Sequence, residues 1–354
     1  VLEAVQTFRP AARTPEAVHS AADMQRALER ERARADRSGG CLSVIAFDAS
    51  ACGVQRQREL IRVLAERLRA TDEIGRLRDG RIAALLPDTS ADGAEHLARK
   101  LTWLANECGC VVQSEVYAYQ ADSGVTGSQV AASADTSPTR PAEQQVFPLE
   151  ELLVHPLPLW KRAIDIVGAL VALTLAAPVI LAAAVMIKLT APGPVFFVQR
   201  RSGLGGRPFW IYKLRTMRVG ADAEKAALRA QSEQDGPAFK LTRDPRVTKI
   251  GSFLRKTSID ELPQLWNVLR GDMSLVGPRP LPCDESDACS SWQRRRLDVT
   301  PGLTCIWQIR GRSRVRFVEW MRMDAEYIRN RSLLTDLKLI LATIPAVLLR
   351  RGAH

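Results

Sequence analysis

Between Asp165 and Lys188 the chain runs for 22 residues without a charge, IVGALVALTLAAPVILAAAVMI at 166–187. As a helix rising ~1.5 Å per residue it would be ~33 Å long, enough to cross the ~30 Å hydrocarbon core of a bilayer. Soluble helices usually keep a polar stripe, and this one has none, so membrane insertion is expected. Basic residues flank both ends, Lys161-Arg162 before and Lys188 with Arg200-Arg201 after, so positive charge selects no orientation for a single crossing. Pro178 lies mid-stretch, where it removes a backbone donor and clashes with the carbonyl of Thr174. These features predict a re-entrant helix over about 161–188 that breaks at Ala177-Pro178 and leaves by the face it entered.

The rest of the composition is that of a globular protein, and its charge is divided unevenly. Of 354 residues, 50 are Lys or Arg and 39 Asp or Glu, for a net charge of +11. Residues 1–150 hold 18 basic against 21 acidic residues, and residues 151–354 hold 32 against 18. A half carrying +14 needs an anionic partner: nucleic acid, a phospholipid surface or a phosphorylated substrate. Nucleic acid is not expected, because no helix-turn-helix, zinc or RNA-binding aromatic motif occurs and the apolar stretch has no place in such a protein. Seven cysteines, an odd number with no CxxC pair, predict reduced thiols in a cytosolic compartment on both sides of the apolar stretch. The opening residues VLEAVQTFRP show no basic segment followed by an apolar one, so no signal peptide is expected there.

Gln120 to Pro148 is rich in Ala, Ser, Thr, Gly and Pro and is expected to be a linker. The domains so defined are 1–119, a linker over 120–155, and 156–354. In the first, helical patterns at Met24–Arg37, Glu59–Arg69 and Ala91–Asn106 alternate with strand-like runs at Leu42–Phe47, Ile74–Leu77 and Ile82–Leu86. That is an α/β pattern. The run from Arg76 to Thr89, with a strand ending in Asp48 before it and a helix after it, resembles the central hairpin of GGDEF (diguanylate cyclase-like) domains. Where that family has Gly-Gly-Asp-Glu-Phe, this chain has Arg78-Asp79-Gly80-Arg81-Ile82, and Ser50 replaces the second acid after Asp48. A cation in place of a metal-binding acid implies a degenerate module that regulates or dimerises.

Polar landmarks crowd residues 200–312. Lys213-Leu214-Arg215-Thr216-Met217 follows an aromatic run, Arg243-Asp244-Pro245-Arg246 comes next, and Gly277-Pro278-Arg279-Pro280 forms a rigid turn. Ser258-Ile259-Asp260-Glu261 fits a capping box at a helix start. It equally fits a reactive site, since a helix N-terminus favours anions and would keep a nucleophilic Asp260 ionised. Arg255 and Lys256 stand ready for phosphate, and adjacent acids can divide attack from magnesium binding.

From Lys161 to about Gly352 the chain resembles the bacterial sugar transferases, the monotopic polyprenyl-phosphate phosphoglycosyl transferases. Beyond the pieces above, the matching residues include Asp165, Gly193 to Phe197 with Gln199, Ser274 to Pro280, Pro301 to Thr304 and Trp307-Gln308. The resemblance implies a mainly helical α+β catalytic domain with a re-entrant membrane helix, on the cytoplasmic face of the bacterial inner membrane. It implies Asp260 as nucleophile on a UDP-sugar, Glu261 as Mg²⁺ ligand and polyprenyl phosphate as acceptor. Arg255 would anchor a phosphate and Arg279 the uridine nucleotide, with Lys213, Arg215, Pro278, Pro280 and Gln308 beside them. A homodimer is expected. Two departures stand out: the family's helix commonly breaks at Ser-Pro where this chain has Ala177-Pro178, and Cys305 replaces a usual Gly.

Overall fold

The computed structural model of the chain describes residues 18–121, 146–311 and 315–348. Contacts divide the chain into two units, residues 1–153 with 290–292, and residues 154–289 with 293–354.

The first unit contains α1 (Ala21–Ser38), β1 (Cys41–Asp48), α2 (Val54–Arg67), β2 (Glu73–Arg76), β3 (Ile82–Pro87), α3 (Ala91–Glu107), β4 (Gln113–Gln120), β5 (Val146–Pro148) and α4 (Glu150–Leu153). The strands form one sheet in the order β2-β3-β1-β4-β5. Side chains alternate along β1. Ile45 and Phe47 pack among Leu60, Leu64 and Leu101 of α2 and α3, whereas Leu42, Val44 and Ala46 pack with Met24 and Leu28 of α1. With both faces covered, β1 is the apolar centre of an α/β unit.

The expected linker is shorter at its C-terminal end. Val146–Pro148 pairs in parallel with β4, and Leu149 and Leu153 are buried in the same core. A three-residue strand is too short to show a period, which hides it behind the Ser- and Gly-rich run. Residues 122–145 of that linker lie outside the described residues.

At the β2–β3 turn, Gly80 has φ +90°, a conformation glycine takes freely. Arg81 follows it, with Nε 2.7 Å from Asp79. Its Nη1 contacts Glu115, and both terminal nitrogens lie 3.2 Å from the Tyr117 hydroxyl. The position that carries an acid in GGDEF domains is thus filled by a cation that local acids neutralise.

The second unit begins with α5 (Leu159–Thr190) and continues with the hairpin β6 (Phe196–Ser202) and β7 (Pro208–Leu214), then α6 (Lys225–Leu228), α7 (Lys249–Thr257) and α8 (Gln264–Arg270). β8 (Ser274–Val276), α9 (Cys283–Asp287), α10 (Ser291–Arg294), β9 (Gly302–Thr304), α11 (Ile306–Arg310), α12 (Phe317–Arg329) and α13 (Leu333–Leu348) complete it. β6 and β7 form one antiparallel pair, and β8 and β9 a short parallel one.

Helix α5 is long and apolar, and only 17% of its most apolar stretch is buried. Leu175 and Leu189 are 72% and 81% exposed. The helix runs without interruption through Pro178, where the sequence predicted a break at Ala177-Pro178. Proline removes one donor, and the helical turns on either side carry the backbone across.

One side of α5 packs on the rest of the unit along both of its halves. Ala169 meets Ile211, Leu265 and Val268, and Ala183 and Ile187 meet Leu214 and Leu254. Polar clamps hold each end. Arg162 donates to the carbonyls of Val268 and Leu269 at 2.6 Å each, and Lys161 donates to Val276 O at 2.9 Å. Lys161 also pairs with Asp336, which accepts from the Tyr327 hydroxyl at 2.9 Å.

The last two helices bury different amounts of apolar surface. α12 buries Phe317, Trp320, Met321 and Tyr327 in the core. α13 exposes Leu333, Leu334, Leu337 and Leu341 while burying Asp336.

Candidate active site

Four local arrangements converge on an open pocket of about 1670 Å³ in the second unit. The first is the β6–β7 hairpin, where Phe197 pairs with Lys213, Gln199 with Ile211 and Arg201 with Phe209. Because strand side chains alternate between faces, this register puts Phe197, Gln199, Arg201 and Lys213 on one face, and all four line the pocket.

The second is the turn between α7 and α8. Ser258 is the left-handed residue that ends α7, with φ 57° and ψ 16°, an uncommon conformation for a residue with a β-carbon. Ile259–Glu261 then forms a single 3₁₀ turn that receives no side-chain cap. The predicted capping box is therefore absent: Ser258 closes one helix rather than opening the next, and α8 starts only after Pro263. This turn delivers Asp260 and Glu261 together to the pocket.

The third is the Gly277–Pro280 loop, where a β-carbon on Gly302 would lie 2.0 Å from Gly277 N. Only a glycine allows that backbone approach, which brings Gly302 N within 2.9 Å of Pro278 O. Two further arginines hold the loop. Arg201 Nη1 donates to Pro280 O at 2.6 Å, and Arg296 donates to the Arg279 carbonyl. The fourth is α11, whose Trp307 and Gln308 line the pocket. The Cys305 thiol donates to Gln308 Oε1 at 2.9 Å, so the residue in place of glycine orients a pocket amide.

The two carboxylates are treated differently. Glu261 is gripped by Lys213 Nζ at 3.0 Å and by the Arg279 fork, with Nη1 at 3.1 Å from Oε2 and Nη2 on Oε1. Burial would raise its pKa, but Arg279 and Lys213 outweigh it and hold the carboxyl well below the usual carboxylate range. Asp260 is 7% exposed, lines the pocket, and receives no hydrogen bond among the described residues. Burial, reinforced by the charge of Glu261, pushes its pKa up to about 6 against the pull of Lys213, Arg255 and Arg279. The predicted helix-terminus effect is thus outweighed, yet the group is still mainly ionised at neutral pH. Burial also lowers Lys213 to about 8.

Arg255 sits in the last turn of α7, and its Nε donates to Thr216 Oγ1 at 2.9 Å. Among the described residues that is its one hydrogen bond, and it lines the pocket. Arg215, expected beside substrate, lines the same pocket and gives both terminal nitrogens to the carbonyls of Pro192 and Ala191, at 2.8 and 2.9 Å. It leaves the strand after Leu214 and clamps the far end of α5. Pro278 and Pro280 act through their carbonyls and fixed backbone, which aim Arg279. Asp260, Glu261, Lys213, Arg215, Arg255, Arg279, Pro280 and Gln308 therefore line one pocket, to which Arg201 is an addition, and Arg296 braces the loop that carries Arg279. Ala172, Leu175, Ala176 and Val179 of α5 supply an apolar wall to the same pocket.

The pocket thus sets cations around the Asp260–Glu261 pair beside one apolar wall. The chain belongs to the bacterial sugar transferase family, whose profile matches residues 157–350. It is 47% identical over 194 residues to the galactosyl transferase CpsE of Streptococcus agalactiae, a match covering 54% of this chain and 43% of that protein. It is 41% identical to the exopolysaccharide production protein ExoY of Rhizobium meliloti, over 62% of this chain and 99% of ExoY. The UDP-glucose:undecaprenyl-phosphate glucose-1-phosphate transferase of Caulobacter vibrioides is 46% identical, over 55% of this chain and 72% of that protein. A solved structure, the GGDEF domain of DgcB from Caulobacter crescentus with c-di-GMP, aligns over 34% of this chain and 82% of that one, at 15% identity and a TM-score of 0.24.

Proposed function

We propose that the chain transfers a phosphosugar from a UDP-sugar to polyprenyl phosphate and releases UMP, the first membrane step of exopolysaccharide, capsule or O-antigen assembly. One observation carries this reading. The pocket is lined by nine Lys and Arg residues, among them Arg201, Lys213, Arg255 and Arg279 around Asp260 and Glu261, against five Asp and Glu in all, which leaves a surplus of positive charge beside an apolar wall. A diphosphate supplies two negative charges, and a polyprenyl chain suits the wall.

The division between the acids supports a covalent route. An Asp260 oxygen attacks the β-phosphorus, and the bond from that phosphorus to the bridging oxygen breaks with its electron pair leaving on UMP. A phosphate oxygen of the lipid then attacks the same phosphorus and returns Asp260 as a carboxylate. Arg255 and Arg279 neutralise the diphosphate throughout.

Magnesium is part of this reading through Glu261, whose two oxygens are held here by Lys213 and Arg279. Among the described residues no cluster of three or more His, Cys, Asp or Glu is present, and magnesium is usually held by one or two carboxylates with substrate phosphates and water. Glu261 would hold it, and the ion would add charge neutralisation at the diphosphate.

Membrane attachment from one face is supported by α5 itself. A helix whose two halves both pack on one folded body, while its other side exposes leucine and valine, is suited to dipping into one leaflet. Single cysteines introduced at Gln120 and Ala230 in a cysteine-free background are expected to label from the same, cytoplasmic side of inverted vesicles. Opposite-side labelling would mean that α5 spans. The first unit, with Arg81 in place of a metal-binding acid, is assigned a regulatory or pairing role in a homodimer.

The test is UMP release by the purified full chain, supplied with UDP-galactose, UDP-glucose or UDP-N-acetylglucosamine and undecaprenyl phosphate. Dependence on both substrates and on magnesium is expected, and silence with every donor would refute the reading. The pH profile adds a check. Asp260 attacks only when ionised and Lys213 neutralises only when protonated. With their pKa values at about 6 and about 8, kcat/KM should peak near neutrality and fall on both sides, about tenfold per unit at the acid end. A flat profile between about pH 5 and pH 9 would remove Asp260 from the rate equation.

A further inference from the structure

We propose that Arg201 is a ligand for substrate phosphate in this site, and not only a brace for the loop that carries Arg279; this rests on the reading that the pocket takes phosphorylated substrates.

Two arginines reach the backbone of that loop, and they differ in one respect. Arg296 touches the Arg279 carbonyl and has an acid of its own, with Nη2 3.0 Å from Asp324 in a pair almost closed to solvent. Its charge is matched inside the protein, as a structural brace requires. Arg201 touches Pro280 O, and its other side-chain partner among the described residues is the neutral Gln199 amide, with Nη2 and Nε 3.0 and 3.2 Å from Oε1. No acid pairs with Arg201 among the described residues. The acids whose charge it feels are engaged elsewhere, Glu261 with Lys213 and Arg279, and Glu285 with Lys225 at 2.9 Å.

A carbonyl brace needs a donor, not a charge. Even a part-buried cation is costly without a counter-ion, and desolvation, with the charge of Arg279 adding to it, pushes Arg201 down to about 10. The cost falls when an anion arrives. Arg201 lines the pocket on the hairpin face that presents Lys213, and a guanidinium suits phosphate oxygens in number and geometry. The phosphate belongs either to the nucleotide or to the lipid acceptor, and the two are separable by ligand.

The experiment uses the full chain in detergent and reads melting temperature without ligand, with UMP, and with farnesyl phosphate, together with KM for donor and acceptor. Wild type, Arg201→Met, Arg201→Gln and Arg296→Met are compared. For Arg201→Met, an unchanged or higher ligand-free melting temperature is expected, with loss of the shift from UMP or from farnesyl phosphate. KM for the matching substrate should rise about 10–100-fold. Which shift is lost tells which phosphate Arg201 binds. Arg296→Met, which strands Asp324, should lower the ligand-free melting temperature.

Retention of both ligand shifts by Arg201→Met overturns the proposal. Arg201→Gln keeps a donor for Pro280 O, so it reads the charge alone if the Met variant does not fold. Failure of both to fold makes the charge structural and also overturns it. A wild-type chain that neither shifts with these ligands nor releases UMP brings down the transferase reading itself, and this inference with it.

Discussion

Asp260→Asn is expected to abolish UMP release, by on the order of 10⁴-fold or more, and at the same time to raise the melting temperature. The two effects share one cause. Burial lifts the Asp260 carboxyl to about 6, so the protein is less stable with the group ionised than with it neutral. A carboxyl raised above its unfolded value weakens the fold at every pH above its folded pKa, and the penalty fades as pH drops through about 6. At neutral pH a shift of that size corresponds to on the order of 2–3 kcal/mol. An amide of the same shape carries no charge and escapes most of it, for a gain of several degrees. Activity comes from a total UMP assay, stability from thermal unfolding at pH 7 and again at pH 5, where the gain should shrink. Retained turnover would move the nucleophile elsewhere. The incubated wild type should also carry a phosphosugar mass on the peptide containing Asp260, absent from the Asn variant.

Lys161→Met is expected to cost ~3–5 kcal/mol, the usual loss when one partner of a buried ion pair is removed. Lys161 and Asp336 are each 3% exposed at their side chains, so neither charge has water to fall back on. The loss is local at first: α5 and α13 are held together there, and Val276 O, the last residue before the Arg279 loop, loses a donor. Lys161→Met with Asp336→Leu should recover most of the stability, because the uncompensated charge goes too. Denaturant unfolding of the two variants in one detergent decides it. A single variant as stable as wild type would show that the pair does not hold these helices.

What the sequence made legible follows from how local each signal is. An uncharged run of 22 residues is a one-dimensional feature, and α5 appears where it stands. The alternation in Leu42–Phe47 likewise suffices to place β1 at a sheet centre. Asp260, Glu261, Arg255 and Arg279 were found through ordered motifs, whose spacing survives folding.

Ser258 shows why a capping pattern alone does not place a helix start. Ser-x-x-Glu has the same letters whether it opens a helix or follows the end of another, and the difference lies in a single left-handed residue. Arg215 sits two positions from Lys213, so alternation alone would put both on one face, but β7 ends at Leu214 and the chain turns away. Arg201 was seen only as a flank of the apolar run. The clue was in the sequence: Gln199 and Arg201 alternate on one side of a glycine-rich turn, Gly203 to Gly206, with Lys213 on the other. Arg296 belongs to a three-arginine run that looks solvated, and only Asp324, far along the chain, reveals it as buried.

Arg215 carries a practical consequence. It ties the strand that brings Lys213 to Glu261 onto carbonyls at the C-terminal end of the exposed apolar helix α5. On the proposed function that helix seats the protein in lipid, so Lys213 is coupled through Arg215 to the seating of α5. A micelle adapts its shape to the protein, whereas a bilayer of set thickness imposes its own, and UMP release is expected to differ between the two media.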